Sequence, residues 1–104
     1  MDLEKFYAHV SRASTLLKAM SNEHRLMILC RLLDGERSVG DLERIIGLSQ
    51  SALSQHLARL RRDCLVQTRR QAQTIYYSLS GGEAIALIAA LADLYCAKAD
   101  SRAA

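Results

Sequence analysis

The sequence predicts a mainly helical α+β domain with one small β-hairpin, and three observations predict it. Apolar residues recur at helical spacing up to Arg62, between segments bounded by capping residues and glycines. After Asp63 the chain switches to two short runs rich in β-branched and aromatic residues. The helical period then returns in a stretch, Ala84 to Ala92, that carries no charge.

Leu3, Phe6, Tyr7, Val10, Ala13, Leu17 and Met20 predict one amphipathic helix over residues 2–20. Ser21 or Asn22 caps a second helix over about 22–34, and Gly35 ends it. Its expected buried stripe is Leu26, Leu29, Cys30 and Leu33. Ser38 and Asp41 have the spacing of a capping box and open a short helix that Gly47 closes. Ser49 caps a fourth helix with Leu53, Leu57 and Leu60 on its inner side. The runs Leu65–Arg70 and Thr74–Leu79, joined by Gln71-Ala72-Gln73, read as the hairpin. Ser80 and Glu83 repeat the capping-box spacing before a last helix that runs to about residue 97. The order is four helices, a hairpin and a helix over residues 1–97, and residues 98–104 are expected to be a frayed tail.

With 104 residues, half of them apolar and no proline, the chain suits one compact domain. No run approaches the ~20 apolar residues of a membrane span. The first residues carry acid where a secretory leader carries base, so a cytoplasmic location and no membrane partner are expected. Three cysteines make an odd set, which fits a reducing compartment better than a disulfide framework. The net charge of +3 is unevenly spread. Residues 1–48 sum to zero and 81–104 to −1, whereas 49–80 hold five arginines against Asp63 alone. An anionic partner held by that third is the expectation.

Two short helices joined by Gly47-Leu48-Ser49 and followed at once by a hairpin are the order of a winged helix-turn-helix. Ser51, Gln55, Ala58, Arg59 and Arg62 fall on the side of the second helix away from its leucines, with Gln50 and Ser54 at the flank. Small and amide side chains near the N-terminal end suit entry into the ~12 Å major groove, and Gln55 can pair with adenine through two hydrogen bonds. Arg59, Arg61 and Arg62 lie where phosphate contacts position such a helix. Arg69, Arg70, Gln71 and Gln73 surround the hairpin tip, within reach of backbone or minor groove. A polar surface helix beside a basic hairpin is the competing structural reading.

Three stretches make the resemblance specific: Leu16 to Leu26, Leu48 to Leu57, and Arg69 to Tyr77. From about residue 11 to 96 the chain resembles the ArsR/SmtB family of bacterial repressors. The resemblance implies a homodimer that binds double-stranded operator DNA at an imperfect palindrome and is released by an inducer acting elsewhere. Independently, Ile85, Ile88, Ala89, Ala92 and Cys96 form one apolar stripe on the last helix, and Leu87, Leu91 and Leu94 form another. A helix apolar on two sides needs two covers, so dimerisation through the last and first helices is expected.

The family's two common metal sites fail residue by residue. The Cys-x-Cys positions of its third helix are Ser38 and Gly40 here, and residues 83–98 contain no histidine. No metal and no cofactor are expected. His56, beside the leucine stripe, reads as a structural histidine. Cys30 and Cys96 read from their stripes alone are buried small hydrophobes. Their placement after Arg25-Leu26-Met27-Ile28-Leu29 and after Leu94-Tyr95 resembles the dithiol branch of the family. That resemblance implies thiols bridged by persulfide or oxidant, directly or through added sulfur. A constitutive regulator or anti-silencer with packing cysteines and an atypical metal-responsive repressor are the alternatives. A thiol–disulfide enzyme is disfavoured, since Cys-x-x-Cys is absent. Cys64 stands where family members often carry glycine, which implies a positive φ and a thiol outside the pair.

Overall fold

The computed structural model describes residues 1–97. The expected tail at 98–104 lies outside them. Among the described residues six α-helices form, α1 (Leu3–Ala8), α2 (Val10–Met20), α3 (Glu23–Leu33), α4 (Val39–Ile46), α5 (Gln50–Arg62) and α6 (Gly82–Ala92). The last continues as a π-helical segment, Asp93–Ala97. An antiparallel sheet runs in the order β1 (Arg37–Ser38), β3 (Thr74–Leu79), β2 (Val66–Gln71). The mainly helical winged-helix architecture predicted from the sequence is present, with four departures.

The first helix is two. His9, at φ −113° and ψ 5°, ends α1 through its N–H to the Phe6 carbonyl and precedes α2. α1 buries no residue of its own, so no packing within the chain holds its apolar stripe in line with α2. The short strand β1 is the second departure. It pairs Arg37 with Tyr77 and Ser38 with Tyr76, and two residues are too few to show alternation in sequence.

Thirdly, the buried face of α3 is Ile28, Leu29 and Leu32, with Leu26 and Leu33 half-buried, and Cys30 is exposed. α3 packs against α2, α4, α5, α6 and β3. Its inner face is therefore wide and rotated from the expected stripe. Finally, Ser80 does not cap α6. Its N–H bonds the Leu65 carbonyl at 2.9 Å, and Gly81, at φ 84°, takes the N-cap position.

Other boundaries follow the sequence signals. Asn22 Oδ1 accepts from the N–H groups of His24 and Arg25, Ser38 Oγ from Asp41, and Ser49 Oγ from Ala52. Gly47 closes α4 in the left-handed conformation that a side chain resists. The core joins Leu53, Leu57 and Leu60 of α5 to Ile28 and Leu29 of α3, Leu42 of α4 and Ile88 of α6. These leucines fix the rotation of α5 about its axis, and so choose the face it shows to solvent.

Candidate nucleic-acid interface and thiol pair

With its leucines held inward, α5 turns Gln50, Ser51, Ser54, Gln55 and Arg62 to solvent. Gln50, Ser54, Arg61 and Arg62 line a groove of about 510 Å³ between α5 and the sheet, closed by Ile75 and Tyr77. Arg59 is different. Its solvent-shielded Nε lies 3.5 Å from Asp63 Oδ2, as an ion pair without a hydrogen bond. Arg25 stands close enough to Arg59 for the two cations to repel, and donates from Nε to the Ala19 carbonyl at 2.6 Å.

The hairpin turns at Ala72, whose φ of 56° is unusual for a residue with a Cβ. Arg70 and Gln73 are exposed at its end. Arg69 and Gln71 have partners within the chain. Arg69 donates to both carboxylate oxygens of Glu36, each at 2.7 Å, and to Gln71 Oε1 at 2.9 Å. Its guanidinium carbon sits 4.5 Å from the centroid of the Tyr76 ring. The Arg69 bonds hold the Glu36 carboxyl below the usual carboxylate range. Glu36 and Tyr76 escaped the sequence reading, because a contact across 33 positions leaves no local signature.

Cys30, Cys64 and Cys96 are free thiols, all exposed. Cys30 lies on α3, which packs on α6, and Cys96 lies in the π-helical segment that continues α6. Although Cys30 is exposed, the protein around it disfavours a thiolate. Burial pushes its pKa up first, and the charge of an ionised Cys96 pushes it further. Cys30 also borders an apolar groove of about 580 Å³ lined by Leu26, Met27, Ile45 and Ile46.

Cys64 adopts φ 62°, the positive value expected at its position. Its N–H bonds the Arg61 carbonyl and that of Leu65 bonds Leu60, which completes a Schellman closure of α5. The His56 ring, half-buried, lies 5.7 Å from that of His24. Burial, then Arg25 and His24, lower its pKa. Among the described residues, no three His, Cys, Asp or Glu side chains gather as a metal site would require.

A helix-turn-helix with a small, amide and arginine outer face, followed by a sheet whose hairpin projects beside it, defines a winged-helix DNA-binding transcription regulator. Residues 22–68 match the family model described as bacterial regulatory protein, arsR family. The transcriptional activator HlyU of Vibrio cholerae is 57% identical over 96 residues, covering 92% of this chain and 89% of its own length. The solved structure of reduced HlyU from that organism superposes with a TM-score of 0.85, covering 89% of this chain and 98% of that one. The repressor BigR from Xylella fastidiosa gives 0.86 at 41% identity, with 92% and 98% covered. The chain belongs to the arsR family of bacterial regulatory proteins. Its relatives are transcription regulators and not enzymes.

Proposed function

We propose that the chain is a homodimeric repressor whose grip on operator DNA weakens when Cys30 and Cys96 become bridged. The observation that carries this reading is a pair of exposed thiols, on α3 and just after α6, in which an ionised Cys96 disfavours ionisation of Cys30. Dimerisation is supported by unpartnered apolar side chains on the elements expected to pair: Leu3, Phe6, Tyr7 and Val10 at one end, Ile85, Leu94 and Tyr95 at the other. Two copies would set their α5 helices ~34 Å apart, in successive major grooves of a palindrome. Gln50, Ser51, Ser54 and Gln55 read bases; Arg62, Arg70 and Gln73 hold backbone.

The inducer is a small persulfide or oxidant. One thiolate takes the outer sulfur of a persulfide R–S–SH and releases the thiol R–SH. The other thiol attacks the protein-bound sulfur of the new Cys–S–SH and expels hydrogen sulfide, leaving a disulfide. Two protein thiols are oxidised and the sulfane sulfur is reduced. Burial disfavours the Cys30 thiolate, so Cys30 is assigned the second step, in which it loses its proton as it attacks the bound sulfur. Bridging α3 to the segment that continues α6 would then tilt the dimer contact, and a coupling of ~1–3 kcal/mol lowers operator affinity about 5- to 150-fold.

Mass spectrometry of the persulfide-treated chain tests the chemistry. A Cys30–Cys96 cross-link, direct or with added sulfur, is expected; persulfide carried on Cys64 alone would overturn it. The name activator carried by HlyU favours a second reading of the output, in which displacing a silencer raises transcription. The switch is the same in both.

A further inference from the structure

Arg69 is the residue of the wing whose surroundings contradict its obvious use. It stands opposite Tyr76 in the β2–β3 register, and Ser38 of β1 stands opposite the same tyrosine. Glu36 lies two residues before Ser38, so in extended chain both fall on one face. From the outer strand β2, the Arg69 side chain crosses the Tyr76 ring and meets Glu36 beyond it. A third bond, to Gln71, ties it to the hairpin turn.

A guanidinium grips a phosphate best through a fork of two parallel N–H groups. The Nε and Nη2 fork of Arg69 is already filled by the Glu36 carboxylate. A phosphate would have to displace that carboxylate, or approach beside its negative charge. β1 has only two residues in the ladder, so little else joins it to the far edge of the sheet. Arg70, the next residue, is exposed at the hairpin end.

We propose that Arg69 is a positioning residue for DNA binding, a strap that holds the wing in place through Glu36 and Tyr76, and does not itself contact phosphate. Glu36 thereby becomes a residue the interface needs although its charge opposes DNA.

Fluorescence anisotropy tests this on a duplex selected by the wild-type chain from a random library, across a salt series. Glu36→Gln, Arg69→Gln and the double variant are compared. Each single change should weaken binding roughly two- to fivefold, the scale of one well-aligned exposed ion pair. The double variant should be no weaker than either single one, and the slope of log K against log salt in Arg69→Gln should match wild type. Opposite signs overturn the assignment. Glu36→Gln that tightens or leaves binding unchanged would mean its charge merely repels DNA. A slope that falls by about 0.9 in Arg69→Gln would mean a phosphate contact was lost. The exchange Glu36→Arg with Arg69→Glu separates positioning from misfolding: recovery of most of the affinity lost in Arg69→Glu supports the strap, and no recovery counts against it.

Discussion

The recognition helix is placed by burial, whereas the wing adds to burial at its base a directional contact across its face. α5 is set by Leu53, Leu57 and Leu60, each at most 2% exposed, so its orientation rests on non-directional burial that salt hardly touches. The wing is rooted in the core by Val66, Tyr77 and Leu79, but across its outer face runs an exposed bidentate ion pair laid over a tyrosine ring. Such a pair is directional, modest in energy and screened by salt. The contrast teaches that the two halves of one DNA-binding surface respond differently to the same perturbation. A core change in α5 disturbs the whole domain, whereas a change in the strap shifts the wing alone.

Leu57→Ala breaks the comparison most strongly. Removing a side chain from this core should cost about 2–5 kcal/mol in urea unfolding and abolish DNA binding with it. A loss below 1 kcal/mol would show that α5 is not held by burial. Arg70→Gln is expected to leave stability within about 0.5 kcal/mol while lowering the salt slope of DNA binding by about 0.9. That outcome would place the wing's phosphate contact next to Arg69.

Relief of backbone strain sharpens the same contrast. Cys64 and Ala72 hold φ of 62° and 56°, at the end of α5 and the turn of the wing. Glycine at either position should stabilise the fold by up to about 1 kcal/mol, read as a rise in the urea midpoint. Cys64→Gly should also leave inducer sensitivity intact. The smallest effect concerns His56. Its folded pKa is lowered, so the unfolded chain takes up its proton more readily. The stability His56 confers by staying neutral is complete above the ordinary histidine value of about 6.5 and is lost as pH falls through the folded value. His56→Gln should flatten the fall in stability just below about pH 6.5, and an unchanged slope would assign it elsewhere.

Most of the fold was legible because its signals are local. Cap residues at Asn22, Ser38 and Ser49, the glycine at 47 and the leucine spacing of α5 each act within one helix. The positive φ of Cys64 was legible through the family resemblance, whose members often carry glycine at that helix end. What escaped depends on distant partners. β1 exists only because β3 lies beside it, and the Glu36–Arg69 pair only because the sheet brings the two together. The exposure of Cys30 was misjudged because periodicity fixes that a face is buried, while neighbours on several sides fix how far it is rotated. His9 interrupts an unbroken apolar pattern that packing within the chain leaves uncovered.

Operator affinity before and after persulfide, in wild type and in Cys30→Ser with Cys96→Ser, tests the central claim most directly. The account predicts a loss of about 5- to 150-fold in wild type and none in the double variant. An equal loss in the double variant, or none in wild type, would contradict it.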